Sequence, residues 1–380
     1  MKKSFIIIFL TTALCGLSTG LFDFLYPIFL DKTGISFKNI GWIFSISFLS
    51  IFFIRIYFGH ISDIMGRKIF YSFSIFLISF SQFTTSFLKK FFPLLILKSL
   101  REISLTIKET FQPVIVYEID KNRFLNLIGK VNGIEFFMAG VGTFAAGFTI
   151  IKIGVKNSIL ISAIPVFLAF LFFYSFYKEK KNNNIKKDFH LSVIFEKIKN
   201  PVLKKIIFAG FIINFGVFIS HSFFMPLFFL KKFSVSPFLV GILLALHRVS
   251  LGIPLLITGK LIKKYHKKIF LYAIIFQGIT ISLTVFMPTF LLACIIFLLH
   301  DILGASFWQP IYNSYIQKFS RETKRGKDTS VVFAYTSIGK VFAPIFAGYL
   351  ASLNINYPFF FSGLITIFAF IPILTLPDLN

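Results

Sequence analysis

Twelve runs of mostly apolar residues, each roughly 18 to 25 long, recur along the chain with short polar interruptions between them. They cover residues 4–26, 40–60, 69–88, 91–116, 129–151, 157–177, 205–230, 237–259, 269–287, 290–313, 329–352 and 357–376. A helix rises about 1.5 Å per residue, so each run is long enough to cross about 30 Å of hydrocarbon. No strand-like alternation organises the chain, and the pattern predicts an all-α membrane protein of twelve transmembrane helices.

Composition agrees with this reading. Only 14% of the residues are charged and mean hydropathy is +0.82, whereas a soluble domain carries about 25% charged residues. The net charge of +25 raises the question of nucleic-acid binding, but that needs a basic face on a soluble module, and the pattern leaves no room for one. Loop position accounts for the charge instead. With the N-terminus inside, and with Lys130 and Lys205 at the span edges counted with the inner loops, 26 of the 40 Lys and Arg lie on the inner side, 8 in outer loops and six within spans. This excess predicts that both termini lie in the cytoplasm, with the protein in the plasma (inner) membrane. The first span continues past Cys15, and Leu14 stands where a lipoprotein signal needs a small residue, so it is expected to remain as a helix. Cys15 and Cys294, isolated in separate spans, predict neither a disulfide framework nor a metal cluster.

The longest polar interruption, residues 178–204, divides the spans six and six. The expected organisation is an N-terminal six-helix bundle at 1–177, a cytoplasmic linker at 178–204 and a C-terminal bundle at 205–380. In the linker, Leu191, Ile194, Phe195 and Ile198 follow helical spacing, which suits a short helix on the membrane surface or a solvated connection. The two halves echo each other. GHISDIMGRK at 59–68 aligns without gaps on GKLIKKYHKK at 259–268, and at a second offset Gln112-Pro113 meets Gln309-Pro310, Gly129-Lys130 meets Gly326-Lys327 and Gly142 meets Gly339. Such an internal repeat suits a transporter built from two related bundles, with a solute site near the midplane.

GHISDIMGRK resembles the signature of the major facilitator superfamily between its second and third helices, GxLxDxxGRK, with Ile61 replacing the leucine. Gly59, Asp63, Gly66, Arg67 and Lys68 all match. Gly59 permits close helix approach, Gly66 a tight turn, and Arg67 with Lys68 holds the loop on the cytoplasmic side. The resemblance implies that Asp63 locks the inner gate in one conformation, with Arg55 two turns earlier as a partner; the plainer alternative is a topogenic turn. Lys263 stands at the aspartate position of the second copy, so that loop is expected to keep topology and lose the gate. AGVGTFAAG at 139–147 is similar to the glycine-rich fifth-helix motif of antiporters in the superfamily but lacks its proline, and close helix packing explains it equally.

Ionisable residues within spans are costly in lipid and are functional candidates for that reason. Asp23, in DFLYP, resembles the first-helix acid of proton-coupled drug exporters in the superfamily, though Pro27 and Asp31 also suit a position near the outer surface. In the fourth span Lys98, Arg101, Glu102, Lys108, Glu109 and Gln112 fall within an arc of about 120° at 100° per residue, which makes one face polar. Lys98 and Glu102 can pair along the helix. Glu109 has no ionisable residue three or four positions away on either side, so its partner must come from another helix or be a proton. Buried in low dielectric, it would be the coupling residue. Asp301 follows His300 in the tenth span, His247 precedes Arg248 in the eighth, Asn214 and His221 lie in the seventh, Glu135 in the fifth and Lys340 in the eleventh. Adjacent helical positions do not share a face, so His300-Asp301 by itself predicts no metal site. The chain shows no phosphate loop, nucleophile elbow or zinc motif, so no cofactor and no enzymatic reaction are expected.

The expected function is secondary active transport of a small organic solute by alternating access, with proton-coupled export suggested by the first-helix resemblance. Uptake or facilitated diffusion of a sugar, metabolite or lipid-like solute is the alternative; a polytopic enzyme or a non-transporting sensor would need a catalytic constellation or a large extramembrane domain. The expected partners are the bilayer, the solute and protons, in a monomer that binds no nucleic acid. The charge asymmetry makes a direct prediction: reporter fusions after residues 190 and 380 both register as cytoplasmic, and an extracytoplasmic signal from either breaks the twelve-span topology.

Overall fold

The computed structural model describes residues 2–50, 67–120, 124–179, 198–262, 264–321 and 325–379. Among them the chain is helical almost throughout. The helices are α1 (Lys2–Lys32), α2 (37–50), α3 (Arg67–Thr85), α4 (Phe91–Ile119), α5 (Phe124–Phe176), α6 (Pro201–His221), α7 (Phe224–Phe233), α8 (Pro237–Leu261) and α9 (His266–Leu283). They continue as α10 (Phe290–Leu299), a π-helical turn (His300–Ala305), α11 (Ser306–Phe319), α12 (Arg325–Leu353), α13 (Tyr357–Ile367) and α14 (Phe370–Leu374). Each expected span overlaps a helix, the second as far as residue 50. Eight helices among the described residues are long and apolar enough to cross a membrane, and one of these, Lys130–Phe176, spans 47 residues, enough to cross twice.

Local chemistry sets several boundaries. Asn200 caps α6 by accepting from the Val202 and Leu203 amides at 2.9 and 3.4 Å, with Pro201 in the first turn. The fifth and sixth spans, expected as two helices, both fall in α5, which is two helices joined directly at a break instead of through a loop. Gly154 alone breaks it, at φ 78° and ψ 165°, a conformation that glycine adopts at little steric cost. Arg55, Gly59, Asp63 and Gly66, and the linker positions Leu191, Ile194 and Phe195, lie outside the described residues.

The chain divides into two units. The first comprises Met1–Ile35, Ile46–Leu191 and Ser236–Ala245; the second comprises Ser36–Ser45, Ser192–Val235 and Leu246–Asn380. In the first, Ile7, Ile8, Tyr71, Ile75, Ile107, Phe111, Val166 and Phe173 form a common core. In the second, Leu203, Ile206, Ile213, Phe270, Ile311, Tyr315 and Ile373 do the same. The surface is inverted relative to a soluble protein. Phe92, Phe136, Phe137 and Leu291 are exposed while Arg101, Lys108 and Ser104 are buried, as hydrocarbon surroundings require.

Glycines set how closely the helices approach. A Cβ on Gly20 of α1 would fall 2.7 Å from the Ala139 carbonyl carbon of α5, one on Gly16 3.0 Å from Glu135 Cα, and one on Gly142 3.0 Å from the Leu17 carbonyl carbon. α1 and α5 thus meet backbone to backbone through small residues, the packing mode that lipid favours. In the second unit Gly339 of α12 meets α6 similarly, its Cβ position lying 2.6 Å from the Phe211 carbonyl oxygen. Gly140 faces open space, with no atom within 4 Å of its Cβ position. Gly20→Ala or Gly142→Ala is therefore expected to destabilise the purified protein by about 1–3 kcal/mol or more. Gly140→Ala should be neutral or stabilising by about 0.5–1 kcal/mol. Equal melting temperatures for all three variants would contradict the packing.

Candidate functional site

α4 carries its polar face into the first unit. Lys98, Arg101, Glu102, Lys108 and Gln112 are all buried, and their partners come from α1, α3 and α5. One end of this face is a four-charge cluster. Lys98 Nζ donates to Glu102 Oε1 at 2.5 Å, and Arg101 Nη1 donates to the same oxygen at 3.1 Å. Arg101 Nη2 stands 3.0 Å from Asp23 Oδ1 of α1. That contact is an ion pair by distance without hydrogen-bond alignment. Two acids thus face two bases.

Aromatic rings and an amide hold the cluster in place. The Arg101 guanidinium lies 4.4 Å over the Phe22 ring and the Lys98 ammonium 5.4 Å over the Tyr26 ring. Tyr26 donates to the Leu94 carbonyl at 3.2 Å, which ties α1 to α4 one turn away. Gln82 of α3 completes the enclosure when its amide is oriented to satisfy both ends: its nitrogen donates to the Ser162 carbonyl at 3.0 Å, and its oxygen accepts from Arg101 Nε at 3.2 Å. The cost of burying Arg101 is offset by two carboxylates, a carbonyl acceptor and a π-face.

Further along α4, Lys108 donates to Glu135 of α5, and Gln112 Nε2 donates to the other Glu135 oxygen at 3.1 Å. Tyr71 of α3 and Thr12 of α1 donate to Gln112 Oε1 at 3.2 and 3.4 Å. This second network crosses the core of the unit from α1 to α5.

The remaining predicted residues fall elsewhere. Glu109, expected to be buried, is exposed. The arc it shares with the buried residues describes only its own helix, and burial depends on what neighbours cover each turn. Lys68 lies near the start of α3, where its amide donates to Glu179 Oε2 at 3.3 Å and its ammonium stands 5.2 Å from the Tyr174 ring centroid. Arg67 opens α3. Asp301 is buried in the second unit beside His247 and His300. Sequence reasoning singled out Asp23 and Arg101 separately and missed their pairing, because nothing in the spacing of two helices states which residues meet. Glu135 was visible only as an acid within a span.

Comparison with known proteins agrees with this architecture. The family model described as Major Facilitator Superfamily matches residues 8–327 and 256–379. Over 193 residues the chain is 27% identical to Multidrug resistance protein 2 of Bacillus subtilis (strain 168), a stretch covering 49% of this chain and 45% of that protein. The chain thus spans less than half the length of that relative. Among solved structures, the nucleoside transporter NupG superposes with a TM-score of 0.78 at 13% identity, covering 99% of both chains. The xylose transporter XylE from E. coli, in its inward-open conformation, superposes with a TM-score of 0.74 at 12% identity, covering 99% of this chain and 96% of that one. With the family model matching nearly the whole chain, this multi-pass membrane protein belongs to the Major Facilitator Superfamily of transporters.

Proposed function

We propose that the chain exports a small organic solute against its gradient, driven by protons that exchange at Asp23. The observation that carries this reading is the asymmetry of the Asp23–Arg101 pair. The guanidinium side chain is 1% exposed and the carboxylate 39% exposed, so a buried fixed cation is held by an anion that the rest of the unit leaves partly uncovered. Protonating Asp23 leaves two cations facing one anion in a low-dielectric cluster. The protonated and deprotonated forms then favour different conformations, which is the differential that alternating access needs. Export is supported by the partial likeness to a multidrug resistance protein.

Two expectations from the sequence belong to the same proposal. The first is an organisation of two related six-helix bundles joined by residues 178–204, supported by the matched packing of Gly142 on α1 and Gly339 on α6. The protein would work as a monomer in the inner membrane with both termini cytoplasmic. The second is the inner gate at Asp63, supported by the loop motif. Asp63→Asn should lower transport while leaving solute binding and expression intact, and unchanged transport would leave that loop only a topogenic role.

Coupling is tested in proteoliposomes with ethidium, a cationic aromatic probe, under an imposed pH gradient. Asp23→Asn should reduce proton-driven accumulation by about 5- to 150-fold, the span of typical coupling energies, while counterflow exchange of ethidium survives. Glu109→Gln, at an exposed position, should keep coupled transport. A folded Asp23→Asn protein that still concentrates the probe, or loss of coupling in Glu109→Gln alone, overturns the assignment.

A further inference from the structure

The second unit holds a histidine cluster that the transport reading does not use. His221 ends α6, His247 lies in α8 and His300 opens the π-helical turn, and ligand-capable nitrogens of all three lie within 4.8 Å of one another. Phe297 closes one side, its ring centroid 4.5 Å from His300, 5.2 Å from His247 and 5.6 Å from His221.

Hydrogen bonding constrains which nitrogens carry protons. His221 Nδ1 lies 3.0 Å from the Val217 carbonyl, and His300 Nδ1 lies against the Phe297 carbonyl. A carbonyl oxygen only accepts, so in the tautomer that satisfies both carbonyls, with Ser220 Oγ 2.7 Å from His221 Nδ1 as acceptor, each ring holds its proton on Nδ1 and presents a lone pair at Nε2. These two Nε2 atoms face each other at 3.1 Å. Asp301 Oδ1, a further acceptor, stands 3.2 Å from the same His300 Nε2. In that tautomer three electron-rich atoms converge with no donor among them, an arrangement that a cation in the middle stabilises.

We infer that His221, His247 and His300 form a binding site for a borderline divalent transition-metal ion of the Zn2+ type. Two imidazole nitrogens on a tetrahedral ion at about 2.0–2.1 Å stand about 3.3–3.4 Å apart, close to the 3.1 Å seen between His221 and His300. His247 Nδ1 lies against Asp301 Oδ2, which also accepts from Ser250 Oγ at 3.2 Å. Asp301 supplies a negative charge against the ion, as a fourth ligand or as the carboxylate that orients the imidazoles. The backbone carbonyls on His221 and His300 perform the orienting task for those two rings. Nitrogen-rich donor sets of this kind select Zn2+, Co2+, Ni2+ or Cu2+ over Mg2+ or Ca2+. The π-helical turn explains how neighbours in sequence share one site: by changing the helical register at His300, it brings both His300 and Asp301 to the cluster. The inference stands independently of proton exchange at Asp23.

Titration of the tag-free, chelator-stripped full chain with Co2+, followed by visible absorption and displaced with Zn2+, tests it. The wild type should bind one equivalent of Co2+ with the intense absorption of a tetrahedral site, and Zn2+ should abolish that signal. His221→Gln and His247→Gln should each weaken binding about tenfold or more, and Asp301→Asn about 10- to 100-fold, with His266→Gln as an unaffected control. Melting curves in chelator establish that each variant is folded. If His300→Gln does not fold, the two partly buried histidines decide the matter. No stoichiometric Co2+ binding by the wild type, or unchanged affinity in both His221→Gln and His247→Gln, overturns the site and leaves a proton as the shared cation.

Discussion

The first unit is organised by the requirement that a guanidinium with no access to water must never lack an anion. Arg101 is among the largest fully buried side chains of the chain, and an uncompensated charge there would cost several kcal/mol. Glu102 supplies one carboxylate on the same helix but shares it with Lys98. Asp23 supplies the other from α1, so the electrostatic balance of α4 depends on where α1 sits.

That position is set by glycine. α1 and α5 approach until backbone meets backbone at Gly16, Gly20 and Gly142. At Gly16 the residue met is Glu135, the acid that pairs with Lys108. A larger side chain there would push α5 outward and carry Glu135 away from its cation. Helix packing and charge pairing are thus coupled: the small residues let the acids reach the bases, and the ion pairs hold the helices in the register that the small residues permit. A function that runs by exchanging a proton at Asp23 alters the electrostatic half of this arrangement and leaves the steric half intact, which suits motion of whole elements over local unfolding.

Much of the fold could be read from the chain because hydrocarbon imposes a length and a polarity that any span must obey. Each of the twelve expected spans overlaps a helix among the described residues, and the Lys98–Glu102 pair was legible too, because a spacing of four residues is a property of one helix. Contacts between helices were not legible. Asp23 with Arg101, Lys108 with Glu135, and the meeting of three histidines from α6, α8 and the π-helical turn depend on crossing geometry that periodicity does not encode. Glu109 shows the same limit from the other side, since its helical arc matched that of its buried neighbours while the surrounding helices leave it exposed. Gly154 and the π-helical turn are local departures from α geometry that an apolar pattern does not reveal, and the second of them changes which residues reach the histidine cluster.

The central claim is that Asp23 and Arg101 act as one electrostatic unit. A double-mutant cycle of Asp23→Asn and Arg101→Gln, read by thermal unfolding of the purified protein, tests it most directly. The pair should show a coupling energy within about 0.5–3 kcal/mol, the double variant being less destabilised than the sum of the two single ones. Additivity within about 0.3–0.5 kcal/mol would mean that the two charges do not depend on each other, and would contradict the account.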